Sequence, residues 1–198
     1  SAGGGAGRLA AAFPRRGPAY VKCGQFLATR PDVVGTRAAR DLESLQDRMP
    51  PFGEKAAASI IEASLGAKVA SVFADFGPPI AAASIAQVHR ARLVSSGEEG
   101  AVKVLPPGVR QRFPPDLGSM RFAARLIHRL LPDTRRLRPV DVVETLARSV
   151  TMEMDLRLEA AALSEMGENT RDDPEFRVPQ VEWDTTARDV LTSGWVHG

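Results

Sequence analysis

The apolar residues of this chain fall first into helical spacing and later into strand spacing. Ala56, Ile60, Ile61 and Leu65 share one face at helical periodicity, which predicts a helix over Gly53–Leu65 with Gly66 as its stop. Helices are also predicted over Tyr20–Thr29, ended by Arg30-Pro31, and over Thr36–Asp47, closed by Met49-Pro50-Pro51. Lys68–Phe76 reads as extended or mixed. Ile85–Val94 alternates in part and reads as a strand, Ser95 to Gly100 as a hairpin turn, and Ala101–Leu105 as the next strand, ended by Pro106-Pro107-Gly108. Pro114-Pro115 interrupts the chain beyond that strand, so the next helix is placed at Leu117–Leu131, with a basic exposed face. Val142, Leu146, Val150 and Met154 recur every four residues and mark the packed stripe of the longest predicted helix, Pro139 to about Gly167. Val178–Val181 and Asp189–Trp195 read as late strands. Helices first, then an antiparallel sheet with a long helix packed on it, is an α+β order.

Composition narrows the class. The 198 residues suffice for one domain or one and a half, and 43% hydrophobic with 25% charged residues is an ordinary globular balance. A net charge of +2 gives no electrostatic case for nucleic acid. The single Cys23 excludes an internal disulfide framework and fits a reducing compartment. No apolar run approaches the roughly 18 residues of a membrane-spanning helix. Residues 1–16, opening on a Gly/Ala run, read as a flexible linker. Ser1 is not an initiator methionine and no signal peptide is readable, so the start is read as a cut or processed end.

Two short segments carry the most chemistry. One is the small-residue run Ala81, Ala82, Ala83, Ser84, Ile85, Ala86 and Gln87, ahead of Val88 and His89; the other is Ala101-Val102-Lys103-Val104. On a strand, Val102 and Val104 share the buried face, while Ala101 and Lys103 share the other. A lysine so placed is a fixed cation in a cleft, where its charge is less screened than in water. Together the segments look like the nucleotide-facing half of a kinase amino-terminal lobe, with a turn covering the phosphates and a strand lysine reaching them. Glu159 is then the natural partner of Lys103. Glu153 and Arg157 are four residues apart and can pair on a helix surface, for about 0.2–0.5 kcal/mol. Asp155 and Glu159 are also four apart but carry like charge, so that spacing calls for a cation beside them. Glu153 and Asp155 lie about 200° apart on a continuous helix, so a shared ligand needs a bend or a neighbouring segment.

Alanines stand here where ordinary protein kinases carry glycines, and this departure resembles the UbiB/ADCK (aarF-domain) family of atypical kinases. Tyr20-Val21-Lys22-Cys23-Gly24-Gln25 is similar to the family's Lys-x-Gly-Gln motif, followed by Thr29-Arg30-Pro31-Asp32. Glu153-Met154-Asp155 is similar to its Glu-x-Asp motif, and Leu45-Gln46-Asp47-Arg48 with Pro50-Pro51 matches another stretch. The resemblance runs in order from about Gly17 to Gly198. It implies an α+β, kinase-like small lobe over 67–198, ending at the hinge, preceded by a helical extension over 17–66. It implies that residues 81–87 cover the phosphates of ATP or ADP, that Lys103 clamps them, and that Glu159 positions Lys103. It implies that Lys22, Gly24, Gln25, Glu153 and Asp155 gate or remodel the site. Cys23, where the family has a bulkier apolar residue, is expected to be a small buried side chain.

The family further implies Mg²⁺ with the nucleotide, ubiquinone (coenzyme Q) biosynthesis and its proteins as partners, and association with the cytoplasmic face of a bacterial inner membrane or its mitochondrial equivalent. No catalytic-loop Asp, following Asn or second metal-binding Asp comes after Lys103, so this stretch is expected to lack the carboxy-terminal lobe and not to transfer phosphate by itself. The metal ligands stay unassigned. A non-catalytic nucleotide-binding scaffold and a small-molecule phosphotransferase of kinase-like fold are the alternatives. Asp75-Phe76-Gly77 spells a kinase metal-binding tripeptide but lies ahead of the phosphate loop, and is read as a turn. His89, His128 and His197 are too scattered for a metal site, and His89 is read as structural. Arg121, Arg125, Arg129, Arg135, Arg136 and Arg138 are read as a solvated face rather than a lipid-headgroup site.

Overall fold

The computed structural model describes residues 18–43, 51–82 and 85–196. The expected linker, the Leu45–Pro50 stretch, Ala83 and Ser84 lie outside the described residues. The chain divides into two compact units, Ser1–Arg48 with Gly108–Thr151, and Met49–Pro107 with Met152–Gly198.

The first unit is helical. It contains α1 (Pro18–Ala28), α2 (Pro31–Val34), α3 (Thr36–Glu43), α6 (Val109–Leu130), a 3₁₀ turn (Pro132–Leu137) and most of α7 (Pro139–Glu153). α1 packs on α3 and α6. Ala19, Ala39, Leu42, Phe113, Leu117, Val143, Leu146 and Val150 are buried here; of the predicted stripe, Leu146 and Val150 are packed, Val142 is half-buried and Met154 falls beyond the end of α7. Pro114 and Pro115 do not delay α6; they lie inside it. Each removes a helical donor, yet Val109 and Phe113 ahead of them are buried, and that packing holds the first turn in place.

The second unit carries the sheet. Its elements are α4 (Glu54–Leu65), α5 (Val69–Val72), β1 (Phe73–Ala82), β2 (Gln87–Leu93), β3 (Glu99–Val104), α8 (Leu156–Asn169), a 3₁₀ turn (Trp183–Thr185) and β4 (Val190–Gly194). The four strands are antiparallel in the order β1-β2-β3-β4. α4 ends at Gly66, whose φ of +68° is the left-handed cap that glycine adopts without strain. Ile61 of α4 joins Phe73, Ala91, Leu93, Val102, Val104 and Val190 in the core. The helix that the sequence groups with the preceding extension is therefore a wall of the sheet's core, and the boundary expected at residue 66 falls inside this unit.

Three further expectations change. Asp75-Phe76-Gly77 is not a turn but part of β1, with Phe73 buried and the Phe73 and Phe76 rings 6.0 Å apart. Val178–Val181 forms no strand; a single bridge joins Val181 to Ser193, and Pro179 has no N–H to extend a ladder. The long helix from Pro139 is two helices: α7 ends at Glu153, and α8 begins at Leu156 after Asp155. Asp155 has extended backbone angles, and the Leu156 N–H donates outside the helix to the Arg188 carbonyl at 3.0 Å. The longest described helix is thus α6, at 22 residues.

Candidate functional site

Strand alternation sorts the sheet's side chains. Along β3, Gly100, Val102 and Val104 are buried, whereas Glu99, Ala101 and Lys103 are only partly covered. Val102 and Val104 anchor the strand in the core, and Lys103 emerges on the opposite face, directly across from Val88 on β2 and Leu191 on β4. Its Nζ donates to both carboxylate oxygens of Glu159, each at 2.8 Å. The side chains keep 25% and 48% of their exposure, so the pair is held by geometry more than by burial. A lysine that reaches two oxygens at once has a fixed tip.

The break between α7 and α8 sets where Glu159 stands. Asp155 is the N-cap of α8, and its Oδ1 accepts the Arg157 N–H at 3.2 Å. The Arg157 guanidinium folds back on the same carboxylate, Nε to Oδ1 at 2.9 Å and a terminal nitrogen to Oδ2 at 2.7 Å; Arg188 Nε lies 3.8 Å from Oδ2. The Arg157 hydrogen bond holds the Asp155 carboxyl below the usual carboxylate range. Arg157 thus bonds Asp155, a partner that the four-residue spacing does not name. The like charges of Asp155 and Glu159 cause no conflict, because Asp155 stands outside the helix and each carboxylate has its own cation. Glu153 is the last residue of α7, so the bend that a shared role for Glu153 and Asp155 calls for is present.

Of the alanine-rich run, Ala81 and Ala82 end β1 with their methyl groups exposed, while Ile85, Ala86 and Gln87 are buried. The Gln87 amide faces the core, on the side of the sheet opposite Lys103. Its Oε1 accepts the Phe52 N–H at 3.0 Å and its Nε2 donates to the Phe52 carbonyl at 3.1 Å. Gln87 Nε2 also lies 2.8 Å from His89 Nε2, and His89 Nδ1 lies 2.8 Å from the Gly77 carbonyl oxygen. A carbonyl only accepts, so Nδ1 carries the hydrogen and Nε2 accepts from Gln87. His89 is fully buried and stacks on Phe76 at 4.6 Å, and burial pushes its pKa down. The structural reading of His89 holds. The anchoring role of Gln87 escaped the sequence, though a signal exists: Gln87 and His89 share a face with the buried Ala91 and Leu93 at two-residue spacing.

Lys22, Gly24 and Gln25 lie on α1 in the helical unit, with Gly24 buried and the other two half-buried. Burial pushes the half-buried Cys23 thiol up to about 11, so it is not a thiolate at neutral pH. In the basic stretch, Arg121 pairs with Glu144 at 2.8 Å and Arg138 with Asp141 at 2.5 Å. Among the described residues no three His, Cys, Asp or Glu side chains converge to hold a metal ion, and no helix is long and apolar enough to cross a membrane.

The chain is similar to known proteins. The "Probable protein kinase UbiB" of Marinobacter nauticus is 42% identical over 192 residues, covering 96% of this chain and 35% of the relative. The protein of that name from Pseudomonas aeruginosa is also 42% identical, over 96% of this chain and 36% of its own length. The chain thus spans about a third of the curated relatives it matches. The solved Rv3197–erythromycin complex from Mycobacterium tuberculosis shares 32% identity at a TM-score of 0.56, over 75% of this chain and 37% of that one. The family described as ABC1 atypical kinase-like domain matches residues 44–198. Lys103 on its strand and Glu159 on the packed helix sit inside that match, and the chain belongs to the ABC1 atypical kinase-like domain family.

Proposed function

We propose that this chain forms the nucleotide-holding small lobe of an atypical kinase or ATPase of the UbiB type. The observation that carries the reading is Lys103 Nζ held by both oxygens of Glu159. The residues present fit a nucleotide. Lys103 offers a positioned cation for phosphate oxygens, and Ala81 and Ala82 present only methyl groups at the end of the strand leading into the turn. A bound ATP supplies the phosphoryl group; this chain's residues hold and orient it. Mg²⁺ would accompany the nucleotide, its protein ligands lying mostly in the carboxy-terminal lobe that the family resemblance implies. The family resemblance supports a role in ubiquinone biosynthesis, with partners from that process, at the cytoplasmic face of a bacterial inner membrane or its mitochondrial equivalent.

The test is thermal stabilisation of the full-length protein by Mg-ATP. Nucleotide at 100-fold its Kd stabilises a binding protein by about 2.7 kcal/mol. Lys103→Ala removes that shift while costing the unliganded fold little, because the ion pair is part-exposed. An unchanged shift in the variant overturns the assignment. Binding without any ATP turnover, with or without membranes, points instead to a non-catalytic nucleotide-binding module.

A further inference from the structure

β1 is a poor support for the turn it leads into. Its pairing with β2 is irregular between Phe76 and Pro79 and again between Pro79 and Ala81, and Pro78 and Pro79 have no N–H to give a ladder. Beyond the turn, Gln87 opens β2, paired to Ala82 on one side and Val104 on the other, and the next residue, Val88, stands opposite Lys103. At this junction side chains bond where the ladder is weak. His89 Nδ1 donates to the Gly77 carbonyl, on the strand limb that the prolines interrupt. Gln87 binds the Phe52 main chain in both directions, as a neighbouring strand would, and its second Nε2 hydrogen goes to His89. Both side chains are at most 1% exposed. The network has no spare donor: turning the Gln87 amide over would set N–H against the Phe52 N–H and oxygen against the Phe52 carbonyl.

We infer that Gln87 and His89 are positioning residues: Gln87 ties the β2 limb of the alanine-rich turn to Phe52, His89 ties the β1 limb at Gly77, and together they fix the turn's ends in register beside Lys103. The consequence for nucleotide rests on the function proposed above; the positioning itself does not.

Two readouts separate them. Amide exchange measured by mass spectrometry on Gln87→Leu, against a core variant of the same sheet, Leu93→Ala, reads the turn directly. Gln87→Leu accelerates exchange at Ile85–Ala86 and at Phe52–Gly53 about tenfold beyond any global loss of protection, whereas Leu93→Ala accelerates the sheet evenly. Mg-ATP titration then shows affinity reduced about tenfold in Gln87→Leu and preserved in folded Leu93→Ala. If Gln87→Leu does not fold, Gln87→Met is used; it is unbranched and closer to glutamine in shape, loses the same three bonds and gives the same change in the same places. Exchange at Ile85–Ala86 no faster than in Leu93→Ala overturns the inference. Local exchange that rises in a protein with no measurable Mg-ATP binding upholds the positioning and removes the nucleotide reading.

Discussion

Asp155 caps the helix whose first turn carries Glu159, four residues before the carboxylate that holds Lys103. One short break in the chain thus performs two tasks. It frees a carboxylate to accept the Arg157 N–H, and it starts a new helix whose direction α7 does not dictate. The negative charge at that end also opposes the helix dipole favourably.

Asp155→Ala is expected to cost about 1 kcal/mol, in the range of about 0.5–2 for loss of an N-cap. Asp155→Asn, which keeps an acceptor, should recover most of it. Urea unfolding checks both, and the Mg-ATP stabilisation should fall in Asp155→Ala because Glu159 rides on the capped helix. Equal midpoints for the two variants would show that the cap does not matter.

Acid should weaken the fold in two stages. Burial lowers the pKa of His89, outweighing the opposing influence of the Gly77 carbonyl and of Glu54, the charged group acting on the ring. Above 6.5, the ordinary histidine value, neither folded nor unfolded chain holds the proton and this contribution is whole. As pH falls through 6.5 the unfolded chain takes a proton that the folded one refuses, and stability drops until the folded value is reached. Asp155, lowered chiefly by Arg157, adds its loss later, as pH falls below 3.8 and through its folded value. Urea midpoints across this range should slope downward below 6.5, and the first slope should flatten in His89→Gln; an identical slope in that variant would assign the effect elsewhere.

Ile61→Ala is expected to destabilise by about 2–5 kcal/mol, since Ile61 is fully buried between α4 and the sheet. Chemical unfolding measures it. A loss well below that range would mean that α4 is not a fixed wall of the sheet's core.

Much of the sheet was legible because strand information is local. Alternation at Ala101–Val104 states which residues share a face, so the outward direction of Lys103 follows from its neighbours alone. The same holds for the Gly66 stop and for the packed Leu146 and Val150 on α7. Helical spacing did not reach the Arg157–Asp155 bond, because the chain at Asp155 is not helical.

The sequence by itself determined the α+β order, the family and the outward face of Lys103, because periodicity and motif order survive without knowledge of distant partners. Only the tertiary structure decided the rest. The break at Asp155 is completed by a carbonyl at Arg188, and the role of Gln87 by main-chain groups at Phe52, 35 residues away. Pro114 and Pro115 stay helical through buried neighbours that local propensity does not count. In each case the deciding energy is a non-local hydrogen bond or packed side chain, larger than the local preference it overrides.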